Sequence, residues 1–248
     1  MSGSIKKIWP AGLKLGLRLN GAIKVDDTDM VFSDGGSVAD MTAFFRKPEI
    51  HALEQIAKTL AATPGHKRLL SLPASIGCEG YTLAAIFRKN AVPGASLQID
   101  LADISQKKLD AAKTGQYHEI FAANIPPDYK DDFFMRGKYL HVHDDLKDMV
   151  GPLPAFNVLD MQVPEERYDA IVSLNFLYYL GNRKNRVKAA RTLARSTRNI
   201  FCISHGIKTG SYDPDGRAVR QAIVKEGFKN DTKFYTPYDA FHAEVFVK

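Results

Sequence analysis

The sequence predicts an α/β domain built around a mostly parallel, doubly wound β-sheet. Short apolar runs alternate with segments of helical periodicity, and the runs stay apolar through their middle, as strands do when helices cover both faces of a sheet. The C-terminal segment differs, because it reads as two strands with a turn near Thr236 and Pro237, which is typical of an antiparallel hairpin. The 248 residues, 45% of them hydrophobic, are enough for one such domain.

The predicted elements follow one another in a regular order. Residues 1–40 read as an irregular N-terminal arm, and residues 41–248 as a single domain. The first helix is predicted with Pro48 in its first turn, because apolar residues from Ile50 to Leu60 recur at helical spacing. The predicted strands lie at 68–73, 96–103, 155–160, 168–176 and 199–206, with the hairpin over about 228–247.

The composition narrows the cellular setting. No window approaches 18 uninterrupted apolar residues, and the N-terminus lacks the features of a signal peptide, so we expect a cytoplasmic protein without membrane insertion. The two cysteines, Cys78 and Cys202, cannot make a disulfide framework or a metal cluster, so buried thiols are expected.

The net charge of +6 would suit an acidic partner or a nucleic acid. Most of the clustered charge lies in residues 181–199, which also carry an apolar stripe at helical spacing. A solvated helix face is favoured over a nucleic-acid groove, because aromatic residues are not interleaved with the charges as stacking platforms. We therefore do not expect a nucleic-acid partner.

The turn after the first strand of the predicted sheet carries the main functional signal. Ala74, Ser75, Gly77 and Gly80 are small enough for a cofactor to approach the backbone, although such residues could also serve only to pack a strand against a helix. Glu79 puts a negative charge where a phosphate would otherwise lie, so the turn suits an ammonium group.

An acid is also predicted where a ribose would bind. Asp103, with Asp100 as the lesser candidate, ends the next strand and could accept hydrogen bonds from ribose hydroxyls. Together with Glu79, this pattern points to S-adenosylmethionine, whose methionine end carries an amine and a sulfonium.

Six segments, in order, resemble the CheR-type chemotaxis methyltransferases. The resemblance covers about residues 38–206. The matching segments are "TAFFRKPEIHAL" to the family's T-x-F-F-R-x-P, "SLPASIGCEGYTLA" to its S-A-x-x-S-x-G-E-E-P-Y-S-x-A loop, "DISQKKLDAAKTGQY" to its D-I-S-x-x-x-L-x-x-A-x-x-G-x-Y helix, "FFMRG" to F-F-x-x-G, "FNVLD" to its hydrophobic-N-L segment, and "YDAIVSLNFLYYL" to F-D-A-I-x-x-R-N-V-x-I-Y-F.

This resemblance implies a seven-stranded class I methyltransferase sheet, S-adenosylmethionine as cofactor, and methyl transfer to a protein carboxylate. It implies catalytic roles for Arg46 and Tyr179, although Arg46 could instead form an ordinary exposed pair with Glu49 on its own helix. An ionised carboxylate needs no general base, so Arg46 could hold it and Tyr179 could orient it. The expected cofactor-binding residues, including those of the turn, are Thr42, Ala74, Ser75, Gly77, Glu79, Asp103, Asn157, Val158, Asn175 and Phe176.

Several departures leave the acceptor open. Cys78, Gly80 and Leu174 stand where the family has an acid, a proline and an arginine. Residues 138–155 look too short for the small β-subdomain with which some relatives grip a receptor tail. A protein carboxylate, a small molecule or another nucleophile all stay open as acceptors, and so does a non-catalytic scaffold that keeps the fold.

Two further histidine features have alternative interpretations. His141 and His143 beside Asp144 and Asp145 could form a metal site, but spacing places no further ligand, so none is expected. His205, at the end of the fifth predicted strand, could touch the acceptor or could simply occupy a turn.

Tyr178 and Tyr179 are adjacent, so both cannot face one pocket in a regular element.

Overall fold

The computed structural model of the protein describes residues 23–25, 40–161, 165–206, 214–231 and 241–248. Their strands are β1 (Ile23–Val25), β2 (Asp40–Thr42), β3 (Gly65–Ser71), β4 (Ala95–Leu101), β5 (Gln116–His118), β6 (Phe133–Arg136), β7 (Tyr139–Val142), β8 (Val150–Pro152), β9 (Tyr168–Ser173), β10 (Thr197–Gly206), β11 (Lys229–Asn230) and β12 (Phe241–Val247). The α-helices are α1 (Lys47–Ala61), α2 (Cys78–Asn90), α3 (Gln106–Thr114), α4 (Asp144–Met149), α5 (Arg183–Arg195) and α6 (Pro214–Lys225). Short 3-10 helices lie at Glu119–Asn124, Pro127–Tyr129, Val158–Asp160 and Leu177–Tyr179.

The central sheet has seven strands in the order β11-β12-β10-β9-β3-β4-β8. The five strands from β10 to β8 pair in parallel, and β12 runs antiparallel to both β10 and β11. The predicted class I methyltransferase sheet with an antiparallel C-terminal hairpin is therefore confirmed.

Helices cover both faces of this sheet. On one face, α1 and α2 contribute Leu53, Ile56 and Ile86 to the first core, and on the other, α5 and α6 contribute Leu193 and Ile223 to the second. All six residues of β9 are buried as a result. This two-sided burial is why the strands read as continuous apolar runs rather than alternating ones.

The predicted strand at 155–160 is wrong. The third parallel strand is β8, which ends at Pro152, and residues Val158–Asp160 form a 3-10 helix. Asn157 causes the difference, because its side-chain Oδ1 accepts a hydrogen bond from the Leu159 backbone N–H at 3.0 Å and starts a turn. β8 is only three residues long and pairs with β4 alone, so its sequence carries little strand signal.

A second, three-stranded antiparallel sheet forms in the order β5-β7-β6. Residues 138–155 contribute only β7 to it, because β5 and β6 precede residue 138, and a two-residue turn at Gly137 and Lys138 joins β6 to β7. Phe44 packs edge-on against Tyr117 in this sheet, with ring centroids 4.9 Å apart. The small sheet is thus docked on the segment that carries Arg46.

The N-terminal arm lies mostly outside the described residues. Within residues 1–39 the structure describes strand β1, which pairs antiparallel with β2 and places Lys24 opposite Met41. The boundary between arm and domain stays a prediction. Cys78 and Cys202 are both buried free thiols, as expected. None of the helices in the described ranges combines the length and apolar character needed to cross a membrane.

Candidate active site

The carboxyl ends of β3, β4 and β9 bring the predicted site residues to one edge of the sheet. Backbone strain concentrates at this edge. Phe45 (φ 48°), Ser75 (φ 47°) and Asn175 (φ 52°) all adopt the left-handed conformation, as does Gly77 (φ 87°). In the three non-glycine residues this conformation costs of order 1 kcal/mol or more each and persists where the surrounding structure holds it, which is typical of functional sites, whereas Gly77 adopts it freely.

The turn after β3 is fixed by Asp103. Its Oδ2 accepts a hydrogen bond from the Ser75 N–H at 2.8 Å, and its Oδ1 accepts one from the Ser105 N–H at 3.0 Å. A Cβ added at Gly77 would lie 2.9 Å from the Ala112 Cβ, so the turn also packs closely on α3. The predicted ribose acid therefore positions the turn.

One side chain of this turn carries an unused polar group. Ser75 is only 5% exposed, and its Oγ has no hydrogen-bond partner among the described atoms. A buried hydroxyl without a partner is costly, so it marks a place where a ligand can complete the hydrogen bonding.

Glu79, in the first turn of α2, is a partly buried carboxyl beside this turn. Thr42 Oγ1 donates a hydrogen bond to Glu79 Oε2 at 2.9 Å. Burial raises the pKa of Glu79 from its ordinary value of 4.5 to about 7, although the charge of Arg46 and the hydrogen bonds act in the opposite direction. A cation bound here would restore the ionised form, so Glu79 fits the ammonium group expected from the sequence.

Cys78 stands where the family has the first of two acids in the loop, so Glu79 is the one carboxylate at these two positions. The Cys78 thiol is fully buried, and burial, followed by the charge of Glu79, raises the pKa of the thiol well above its usual value. Cys78 is thus a neutral packing residue. Leu174, in place of the family arginine, is likewise buried in the first core.

Arg46 and Glu49 form a buried ion pair at the start of α1. Arg46 is 4% exposed and Glu49 is 1% exposed, and Arg46 Nε lies 3.5 Å from Glu49 Oε2. Asn175 Nδ2 donates a hydrogen bond to Glu49 Oε1 at 2.8 Å. Burial raises the pKa of Glu49, while Arg46 and Asn175 lower it.

The pairing of Arg46 with Glu49 is therefore present, but it is not the weak surface pair that the sequence allowed. Desolvated charges are held at a considerable cost, so the pair marks a polar centre inside the edge of the sheet. Glu49 was missed as a site residue. The signals that could have identified it are its spacing of three residues from Arg46 and its position on the buried face of α1.

The two adjacent tyrosines have different environments. Their rings lie 4.2 Å apart in the 3-10 helix after β9, and Tyr179 is 58% exposed. Tyr178 is partly buried. Burial and a hydrogen bond with Tyr179 raise its pKa, and the charges of Arg46 and Glu49 act on it as well. Sequence reasoning selected Tyr179, whereas the structure adds Tyr178 as the tyrosine under the influence of the buried pair.

The predicted adenine-side residues, Asn157 and Val158, make contacts within the protein, and so do the predicted cofactor-binding residues Phe176 and Ala74. Val158 is buried in the second core, and Asn157 is exposed, with Oδ1 engaged by the Leu159 N–H. Phe176 is partly buried and packs against the same core. Ala74 is fully buried, and its N–H donates to the Ala102 carbonyl at 2.8 Å.

The histidines are engaged in local contacts. His141 stacks on Phe134 with ring centroids 5.6 Å apart, and His143 Nδ1 accepts a hydrogen bond from the Asp145 N–H at 3.3 Å. Within the described ranges, no group of three or more His, Cys, Asp or Glu residues could hold a metal ion. His205 lies in β10 opposite His242, and its side chain falls outside the described part.

Comparisons with known proteins agree with this geometry. The family model for the CheR methyltransferase, SAM binding domain, matches residues 40–199. The chain is 31% identical over 149 residues to a chemotaxis protein methyltransferase of Escherichia coli K12, covering 56% of this chain and 50% of that protein. It is 35% identical over 146 residues to the "Probable biofilm formation methyltransferase WspC" of Pseudomonas putida, covering 56% of this chain and 34% of that protein.

A solved structure from Bordetella parapertussis, described as a possible exported protein, is 14% identical with a TM-score of 0.50. It covers 80% of this chain and 67% of that one, and at this identity it shows the fold alone. The chain spans about half the length of the first curated relative and about a third of the second. Because the family model matches more than half of the residues, this chain belongs to the family of the CheR methyltransferase SAM-binding domain, the CheR-like S-adenosylmethionine-dependent methyltransferases.

Proposed function

We propose that this chain transfers the methyl group of S-adenosylmethionine to a carboxylate. The observation that carries the proposal is a buried cation, Arg46, which pairs with the buried Glu49 and whose charge also acts on the partly buried Glu79. The charge of Arg46 acts on both carboxyls, so the three groups form one electrostatic unit.

The residues at the turn suit the cofactor in three respects. Glu79 would hold the ammonium group, Asp103 would accept from the ribose hydroxyls, and the Ser75 hydroxyl would complete its hydrogen bonding against the ligand. The cofactor supplies a methyl group already activated by the sulfonium. The protein's own contribution is then to align the acceptor and to exclude water.

A carboxylate acceptor asks the least of the protein. The cofactor carries its own carboxylate beside the ammonium and the sulfonium, so together with Arg46 it balances the charges of Glu49 and Glu79. A carboxylate is ionised at neutral pH and needs no base. An amine acceptor is protonated at neutral pH and would first have to lose a proton.

The roles of Arg46 and the tyrosines follow from their positions. Arg46 would hold the acceptor carboxylate by a charge-assisted hydrogen bond, with Glu49 and Asn175 fixing the guanidinium. Tyr178 or Tyr179 would orient the acceptor. A non-catalytic scaffold is disfavoured, because a buried Arg46–Glu49 pair beside strained backbone has no purpose in a module that only packs. A cytoplasmic location remains a prediction from the sequence.

The test is a transfer assay with S-adenosylmethionine carrying a labelled methyl group. The acceptors are a glutamate-rich peptide, the same peptide with glutamine in place of glutamate, and a lysine-rich peptide. We expect label only on the glutamate peptide, and we expect base to release it as methanol, because methyl esters are base-labile and methylamines are not. Base-stable label, or equal labelling of the glutamine peptide, would contradict a carboxylate acceptor. A protein that does not bind the cofactor in calorimetry would contradict the proposal as a whole.

A further inference from the structure

A basic groove runs between α5 and α6 on the face of the sheet away from α1. Its volume is about 1020 Å³, and none of the twelve described residues that line it is an Asp or a Glu. The cations that line it are Arg183, Lys184, Lys188, Arg191, Arg195 and Lys225.

The floor of the groove consists of small and medium side chains. Val187 and Thr192 of α5 meet Ala218 and Ala222 of α6 there. The opposite face of α5 buries its apolar residues in the second core. The sequence explained these charges as one solvated helix face, but the structure adds a second wall, so the charges border a concave surface rather than a convex one.

The positive charge is uneven along the groove. At the far end, Glu226 lies 3.4 Å from Arg191 Nε and 2.9 Å from Arg195 Nε, so it offsets charge there. At the near end, Arg183 and Lys184 pair with no carboxylate of the described residues. The near end begins four residues after Tyr179, at the edge of the sheet that carries the candidate active site.

We propose that this groove binds an acidic segment of a polypeptide that carries the methyl-accepting carboxylate. The inference rests on the proposed function and adds to it a docking surface for the acceptor chain. An acidic chain lying in the groove would leave its near end beside Tyr179, at the edge of the sheet that carries the candidate active site. Helix α5, with 13 residues, is about 20 Å long, which corresponds to about six residues of extended chain.

Nucleic acid fits this surface less well. Single strands bind through aromatic side chains on which the bases stack, and no aromatic residue lines the groove. Duplex DNA is usually read by a helix or a β-ribbon that projects into the major groove, whereas the surface here is concave between two helices. The charge complementarity therefore favours a flexible acidic peptide.

The test uses the full chain and a fluorescein-labelled peptide of ten glutamates, with binding followed by fluorescence anisotropy at low ionic strength. The groove variant is Lys184→Glu/Lys225→Glu, with one change on each wall. The matched control is Lys113→Glu/Lys130→Glu, which makes the same charge change at exposed lysines outside the groove. We expect the groove variant to bind about tenfold more weakly and the control to stay within about twofold of the parent.

Three results would overturn the proposal. The parent protein could fail to bind the peptide, both variants could lose affinity equally, or a ten-residue oligouridine could bind the groove more tightly than the peptide does. Calorimetry with S-adenosylmethionine on the same variants separates this proposal from the proposed function, because the cofactor affinity should not change in either variant. A parent protein that binds the acidic peptide through the groove but does not bind the cofactor would leave the groove standing and remove the methyltransferase proposal.

Discussion

Asn175 Nδ2 donates a hydrogen bond to Glu49 Oε1 at 2.8 Å, and this bond joins the end of strand β9 to the start of helix α1. Glu49 in turn lies beside Arg46, so the position of the guanidinium depends on two elements that are far apart in the sequence. The strained backbone at Asn175 is consistent with a residue held for this contact.

Removing only Arg46 from the Arg46–Glu49 pair should lower both the stability and the activity, so a single variant does not separate the two effects. Arg46→Met leaves Glu49 buried without its counter-charge, so we expect a loss of about 3 kcal/mol in the free energy of unfolding. The double variant Arg46→Met/Glu49→Gln should regain much of that stability, because no buried charge is then left without compensation, but it should not regain methyl transfer. Urea denaturation and the transfer assay measure the two effects, and recovery of activity in the double variant would remove Arg46 from the reaction.

The raised pKa of Glu79 predicts a pH dependence of cofactor binding. Below pH about 7 the carboxyl must release a proton before it can pair with an ammonium, so the affinity should fall as the pH drops below about 7. Calorimetry at pH 6 in two buffers of different ionisation enthalpy should detect the released proton. The Glu79→Gln variant should lose this dependence, and the exposed Glu119→Gln variant should keep it.

The raised pKa of Glu79 also makes the stability of the cofactor-free protein depend on pH. Here low pH is favourable, whereas cofactor binding is favoured by high pH. The folded pKa of Glu79 is higher than its ordinary value of 4.5, so the folded state binds more protons between pH 4.5 and about 7. The contribution of Glu79 to the stability of the cofactor-free protein is therefore present at low pH and lost as the pH rises through about 7. Thermal melts should show the parent losing stability relative to the Glu79→Gln variant as the pH rises from 4.5 to about 7. A difference between the two proteins that stays constant with pH would show that Glu79 is not the group responsible.

Asp103→Ala should weaken cofactor binding and loosen the turn after β3. Loss of the ribose contacts should cost about 1 to 3 kcal/mol of binding free energy, and the N–H groups of Ser75 and Ser105 lose their acceptors. The exposed Asp110→Ala on α3 is the control and should change neither quantity. Unchanged cofactor affinity in Asp103→Ala would leave Asp103 with a structural role only.

The two tyrosines can be separated by removing each hydroxyl. Tyr179→Phe should leave the melting temperature near that of the parent, because the side chain is 58% exposed, and it should lower the rate of transfer. Tyr178→Phe should change the rate more if the tyrosine influenced by Arg46 and Glu49 is the one that orients the acceptor. Measuring kcat and KM for both variants decides between them, and two fully active variants would exclude both hydroxyls.

Gly77 and Gly137 form a matched pair for testing how closely the turn packs. Both have positive φ, at 87° and 61°, but a Cβ at Gly77 would lie 2.9 Å from the Ala112 Cβ, whereas one at Gly137 would meet nothing within 4 Å. Gly137→Ala should cost about 1 kcal/mol of stability for the backbone conformation alone. Gly77→Ala should cost a further 1 to 3 kcal/mol, roughly, for the close contact. Equal losses in denaturation would contradict the packing argument.

The sheet was predictable because its signal is local and repeated. Strands buried on both faces need continuous apolar runs, and β3, β4, β9 and β10 each carry one. β8 was missed because three residues paired to one neighbour need little apolar sequence, while Asn157 turned an apolar run into a 3-10 helix. The small sheet was not predicted because its strands are only three or four residues long, too short to carry a clear alternation of apolar and polar residues.

The sequence predicted which residues lie at the site, but not which of them contact one another. Glu79 and Asp103 were selected by charge and spacing, and both lie at the expected edge. The bond between Asn175 and Glu49 joins residues 126 positions apart, so no local pattern reveals it. The burial of Arg46 was equally hidden, because it depends on Phe44 and Phe45 being anchored by the small sheet.

The position of β12 between β10 and β11 has a consequence for synthesis. Phe246 faces Phe201 of β10 in register and is fully buried, so an interior place in the sheet is filled by a strand that leaves the ribosome last among the seven. At ~5–20 residues per second, β10 waits a few seconds with an unpaired apolar edge. Such an edge is a template for pairing with another nascent chain or for a holding chaperone. An aggregation hazard of this protein therefore arises on the polysome, before the mature fold has closed.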